Sequence, residues 1–326
     1  MAEKYLRYPF KLKPVLKEKP WGGTRLKTEF DKSDAANPDK KIGESWELAV
    51  YEKDVNIIEN GVYAGRTLED IFALDKSIIS AYYSGDKFPL LIKFIDAEKD
   101  LSVQVHPDDD YAAKKAGAFG KTEMWYIIDC VPGSKLVYGL NADYTREQLQ
   151  NLIDSGRFED CLNYITVNPG EVYFIPAGLV HAIGAGILIA EIQQNSDTTY
   201  RFYDYNRPGD DDKPRELHIN QALDVCIKTK AEYINPKTKD ENIPFVEILS
   251  QCEYFQVSLF SLANLKNFNI NCAGYFCSVI CICGNGEIIC GREKYSIQKG
   301  DSYFMPAGTD KFKITGDIKF IMTTHI

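Results

Sequence analysis

One nine-residue pattern occurs twice in this chain, as GEVYFIPAG at 170–178 and as GDSYFMPAG at 300–308. A glycine before an acid suits a tight turn into a strand. The Tyr-Phe pair suits the strand itself, and Pro-Ala-Gly suits the turn out of it. A match of this length implies two copies of one β-domain, which we place at 1–240 and 241–326. The length of 326 residues agrees with about two domains of roughly 150 residues each. The copies part company directly after the pattern. The first continues Leu179-Val180-His181 and the second Thr309-Asp310-Lys311. An imidazole follows one turn and none follows the other, so the first copy is expected to carry chemistry and the second to be structural.

The rest of the chain reads as mainly β. IGESWELAV (42–50), FPLLIKFID (88–96), LSVQVHP (101–107), TEMWYIID (122–129) and SKLVYGL (134–140) are short runs rich in aromatic and β-branched residues. Two segments read as helices inserted between strands, each opened by a threonine N-cap: one after Thr67, and one after Thr145 with Leu149, Leu152 and Ile153 on one face. Val172 to Ala190 carries no formal charge and nominally reaches the length of a membrane helix. Pro176, Gly178, Gly184 and Gly186 break it, and we read it as two short buried strands around a turn.

Lysine and arginine number 38 against 47 acidic residues, a net charge of −9. That balance argues against a nucleic-acid surface, which needs a basic footprint. It leaves room for a small anionic ligand, which a few local cations suffice to bind. Nine cysteines, an odd number, include five between 272 and 290 without CxxC spacing. They read as reduced, buried thiols on apolar strands, with Cys281 and Cys283 sharing a face. The N-terminus MAEKYLRYPF lacks the apolar core of a signal peptide. Together these features imply a cytoplasmic protein with no membrane partner.

Only four histidines are present: His106, His181, His218 and His325. Gln104 and His106 lie two apart, so on a strand they share a face. Glu123 opens the next apolar strand, and His181 follows the repeat's turn. In a barrel or jelly roll such residues can converge, offering two nitrogens and two oxygens to Zn²⁺, Mn²⁺, Fe²⁺ or Co²⁺. The Gln-x-His pair is a weak signal by itself, because inward polar pairs also serve to satisfy buried hydrogen bonds.

Several motifs taken together carry a resemblance. LSVQVHPDDDYA, GKTEMWYIID, PAGLVHAIGAG and SDTTYRFYDYNR, with GESWELA and WGG, resemble the type I mannose-6-phosphate isomerase family in its shorter bacterial form, within the cupin superfamily. The resemblance implies two cupin-like jelly rolls, helical insertions in the first, and one catalytic Zn²⁺ per chain on Gln104, His106, Glu123 and His181. It implies interconversion of mannose 6-phosphate and fructose 6-phosphate through a cis-enediol. It also places Arg201, Lys121, Glu191 and Asp197 among the catalytic groups, and Lys93, Ser102, Lys121 and Arg201 along the substrate pocket. The proton-abstracting base stays open among Glu191, Asp197, a metal-bound water and a deprotonated lysine.

Blander readings compete for several of these residues. A lysine such as Lys93 amid large apolar residues often snorkels from a strand edge, and Arg201 could stack on Tyr203 or Tyr205. Asp108, Asp109 and Asp110 read as helix capping rather than a metal triplet. His218 and His325 read as surface residues. Trp21, Trp46 and Trp125 read as core, with Trp21 able to border the pocket. The rival functions are another metal-dependent cupin enzyme and a non-catalytic sugar-phosphate-binding protein.

Overall fold

The computed structural model describes residues 6–326 apart from 34–39, 206, 209–212, 264–267, 273 and 310. Five residues of the N-terminal segment examined for a leader, and Asp310 after the second repeat, therefore lie outside the described residues. The chain is mainly β, as expected, with its described helices falling between Arg25 and Val225. Both expected threonine caps are present. Thr67 and Thr145 each form a capping box, opening helices Leu68–Leu74 and Arg146–Asp154. Asp108 caps helix Asp109–Ala116 by accepting from the Tyr111 amide.

Two sheets enclose the first core. A five-stranded sheet runs in the order Leu162–Thr166, Lys135–Leu140, His181–Ile183, Val103–Val105, Tyr200–Tyr203. A six-stranded sheet runs Val172–Ile175, Glu123–Cys130, Ile187–Gln194, Leu90–Ala97, Glu44–Leu48, Val15–Lys17. Trp125, Ile127 and Ile189 of the second pack against Leu136, Tyr138 and Ile183 of the first, making a β-sandwich. The uncharged stretch from Val172 to Ala190 resolves into three strands rather than two, because a second turn at Gly184–Gly186 separates His181–Ile183 from Ile187–Gln194. No helix among the described residues is long and apolar enough to cross a membrane.

A third, ten-stranded sheet contains the C-terminal strands from Thr238 to His325, together with Phe10–Lys13 and Ile57–Ile58. Phe10 pairs with Phe304, and Leu12 with Ile58. The units expected at 1–240 and 241–326 are thus stitched along one sheet. Its face packs on the outer face of the six-stranded sheet, where Leu90, Ile92 and Phe94 meet Val257, Ile280, Phe304 and Ile321.

The cysteine reading needs two corrections. Cys272 and Cys277 are joined in a disulfide, while the other seven are outside any disulfide. Cys281 is buried and Cys283 exposed, because the pairing register slips between them; an extra residue at a bulge turns the next side chain to the other face. The two remaining histidines are not plain surface groups either. Each is half-buried: the Nδ1 of His325 lies 2.9 Å from the Tyr254 carbonyl, and the Arg201 amide points at His218 Nδ1 at 3.4 Å. Strand pairing across the chain supplied partners that spacing did not show.

Candidate metal centre and cleft

Register builds the site from two facing rows. In the five-stranded sheet, Tyr138 lies opposite His181, His181 opposite Gln104, and Gln104 opposite Arg201. In the six-stranded sheet the row is Trp125, Glu191, Lys93 and Trp46. Strand alternation sends Leu90, Ile92 and Phe94 to the far core and Lys93 to the inner face. All ten site residues expected from sequence lie in or around the cleft between these rows.

At its floor, His106, Glu123 and His181 are 1 %, 0 % and 1 % exposed, and one ligand atom from each lies within 4.8 Å of the others. Each imidazole is oriented from behind by a backbone carbonyl: His106 Nδ1 meets Thr198 O and His181 Nδ1 meets Leu179 O, both at 2.8 Å. A proton on each Nδ1 leaves the two Nε2 lone pairs facing one another at 3.1 Å. Burial keeps both rings neutral. It pushes His181 down to about 4 and His106 well below its ordinary value, with Lys121 adding to the effect. Neither Glu123 oxygen accepts a well-formed hydrogen bond, although the Lys121 ammonium lies 3.0 Å from Oε2. Convergent lone pairs beside an unsatisfied buried carboxylate are unfavourable alone and fit a divalent cation. Gln104 extends the set: its amide nitrogen is 3.5 Å from His181 Nε2, and Ser102 Oγ donates to its oxygen at 3.2 Å. A half-turn of the amide presents that oxygen to the centre.

The walls are charged. The cleft is narrow, and Lys93, Lys121, Glu191, Asp197 and Arg201 all line it. Lys93 is buried, so it does not snorkel. Burial alone would lower its pKa, but Glu191 at 3.3 Å, with Glu44 and Asp197 at 3.9 Å, raises it above the ordinary value. That environment favours the ammonium form and argues against Lys93 as a deprotonated base. Glu191 accepts from Trp125 Nε1 at 3.0 Å, while its other oxygen has no hydrogen-bond partner. Burial first, then Glu123, raises its pKa against the pull of Lys93. Asp197 sits at the rim with its side chain 44 % exposed. Burial and Arg215 lower the pKa of Arg201, whose buried Nε has no partner.

Sequence reasoning missed three charged cleft residues: Lys19, Glu44 and Arg215. Glu44 had a signal, being an acid two residues before Trp46 on an apolar strand. Arg215 had none, because it lies among other charges and only tertiary folding carries it to the cleft.

Residues 9–126 match the model of the phosphomannose isomerase type I catalytic domain, and 246–325 that of the mannose-6-phosphate isomerase cupin domain. The chain is 39% identical over 318 residues to the mannose-6-phosphate isomerase ManA of Bacillus subtilis, covering 97% of this chain and 98% of that one. It is 35% identical over 313 residues to the mannose-6-phosphate isomerase of Streptococcus mutans, covering 96% and 97%. A crystal structure of the mannose 6-phosphate isomerase from Bacillus subtilis superposes with a TM-score of 0.90 at 34% identity, covering 97% of this chain and 99% of that one.

Proposed function

The chain belongs to the type I phosphomannose isomerase family, and on that premise we propose that it interconverts mannose 6-phosphate and fructose 6-phosphate through a cis-enediol, with one Zn²⁺ held by Gln104, His106, Glu123 and His181. The observation that carries this reading is the convergence of two neutral imidazoles and an unsatisfied carboxylate at the floor of a cleft walled by lysines and an arginine. The family relationship makes the protein an isomerase acting on a sugar phosphate. We assign catalysis to 1–240 and support to 241–326, and place the enzyme in the cytoplasm.

Aldose–ketose interconversion moves a proton between C1 and C2 while charge builds on the adjoining oxygens. When bound, the cation supplies Lewis-acid stabilisation of that oxygen charge. The chain's own groups do the rest. Glu191 is the best-placed base: it is buried, its pKa is raised above the ordinary carboxylate value, and one oxygen is steered by Trp125. A carboxylate so tuned can take a proton from one carbon and return it to the other. Lys93 beside it keeps the carboxylate oriented and screens its charge. Lys121, from the coil before the strand that opens at Glu123, and Arg201, from strand Tyr200–Tyr203, supply positive charge to the developing oxyanion. Ser102 orients Gln104. Asp197 at the mouth contacts the entering sugar, and phosphate binding falls to the cations of the cleft not engaged at the reacting carbons.

The test is direct. Purified, zinc-loaded protein given fructose 6-phosphate is expected to form mannose 6-phosphate, to lose that activity with a chelator, and to regain it with Zn²⁺. Binding of the sugar phosphate without turnover by the loaded protein would refute the isomerase reading and favour a binding protein.

A further inference from the structure

The segment that delivers Lys121 is coil, running from the end of helix Asp109–Ala116 to the strand opening at Glu123. Its side chain is nonetheless 4 % exposed, with Nζ 3.0 Å from Glu123 and 3.1 Å from His106 Nε2. A flexible four-carbon stem holds such a position only if its backbone is fixed. The fixing groups are visible. Asp109 Oδ1 accepts from the Gly120 amide at 2.7 Å, and the Lys121 amide donates to Pro107 O at 3.0 Å. Gln194 brackets Thr122, its side-chain oxygen accepting from the Thr122 amide at 2.9 Å and its own amide donating to Thr122 O at 3.1 Å. Gln194 Nε2 in turn donates to Asp109 at 3.1 Å. Gly120 is pressed so closely on the start of the helix that a Cβ there would meet the Asp108 and Asp109 backbone at 2.6 Å.

Asp109 has one more partner, and it comes from the other half of the chain. Tyr254, in the turn between strands Val246–Gln251 and Phe255–Leu262, donates its hydroxyl to Asp109 Oδ2 at 2.8 Å. The Tyr254 carbonyl lies 2.9 Å from His325 Nδ1. A continuous chain of contacts therefore runs from the ten-stranded sheet through Tyr254 and Asp109 to the backbone beside Lys121.

We propose that Asp109 is a positioning residue that seats Lys121 over the metal centre, and that Tyr254 anchors it, so that the C-terminal segment takes part in catalysis without touching substrate. The effect on turnover rests on the isomerase reading, whereas the seat itself does not.

The test is a double-mutant cycle with two readouts. Asp109→Ala should lower kcat about 10- to 100-fold, the range for removing a group that orients a catalytic one, with KM within about twofold. Metal content should stay at the wild-type level, since Glu123 and His181 each open a regular strand. Tyr254→Phe should cost about threefold in kcat, a single hydrogen bond's worth. Asp109→Asn, which can still accept from Gly120, should recover part of the loss. In a Lys121→Ala background, Asp109→Ala should add less than about twofold, because both act through one group. Full additivity, an unchanged kcat, or a loss matched by lost metal would each overturn the proposal. Hydrogen exchange of the peptide 118–124, read without substrate, should quicken in Asp109→Ala; unchanged exchange would also overturn it. Quickened exchange in a protein whose wild type shows no turnover would sink the isomerase reading and uphold the seat.

Discussion

The two copies of the repeat share their turns and the strand between them and differ in what stands beside them. Gly170 and Gly300 both have positive φ, at 88° and 93°, as do Gly178 and Gly308 at 87° and 76°. Glu171 accepts from the Asn168 amide and Asp301 from the Gln298 amide. Strands Val172–Ile175 and Ser302–Met305 follow, and each Pro-Ala-Gly closes with an amide-to-proline-carbonyl bond. The equivalence reaches further. The Gly178 amide donates to His106 O, and the Gly308 amide to Cys272 O. Ile175 lies opposite Glu123, and Met305 opposite Cys277. The positions of His106 and Glu123, two residues of the candidate metal centre, are thus held in the second copy by the two cysteines of the disulfide, and Lys311 follows the second turn at the spacing of His181. In the first copy three polar groups meet at the cleft floor; in the second, Cys272 and Cys277 join Tyr303, Met305 and Phe312 in an apolar core. A turn can be inherited intact while the site beside it is exchanged for packing, because turn geometry is written in adjacent residues and the site is not.

That contrast can be broken by experiment. The largest effect is expected at His181. His181→Ala should lose metal and activity together, the activity by on the order of 100-fold or more, since even outer partners of a metal ligand cost 10- to 100-fold. Lys311→Ala at the matching turn should change neither, with metal analysis and initial rates as the checks. Glu191→Gln comes next. It should retain metal but lower kcat by about 10²- to 10⁴-fold, the span of a lost general base; a wild-type rate would return the base to Asp197 or a metal-bound water. Arg201→Ala should keep metal and lower turnover by roughly 10²-fold, as for a lost oxyanion partner. Unchanged kinetics would reduce Arg201 to a packing role. The smallest effect belongs to the second copy. Replacing Cys272 and Cys277 by alanine should leave kcat and KM unchanged and cost roughly 2–4 kcal/mol in stability, the closure of a short loop together with the packing lost from the apolar core. Thermal unfolding reads this, and thiol titration of the denatured wild type should find seven thiols.

The sequence by itself determined the local features of this protein. The β-runs, the Thr67 and Thr145 caps, the Asp108 cap and the paired turns depend on groups within a few residues of one another, so their chemistry is legible in order. Gln104 and His106 were legible as a pair for the same reason, and the family motifs extended the reading to Lys93, Ser102, Lys121, Glu191, Asp197 and Arg201. Tertiary structure alone decided the rest. It placed Phe10–Lys13 in the C-terminal sheet, slipped the register between Cys281 and Cys283, joined Cys272 to Cys277, and carried Lys19 and Arg215 to the cleft and Tyr254 to Asp109. The physical reason is that a site's distances are set by strand register and sheet-on-sheet packing. His106 and His181 stand 75 residues apart in the chain and 3.1 Å apart at their facing nitrogens. Nothing in either residue's neighbours encodes that separation. It follows from the row His181–Gln104–Arg201 and from the row that faces it across the core.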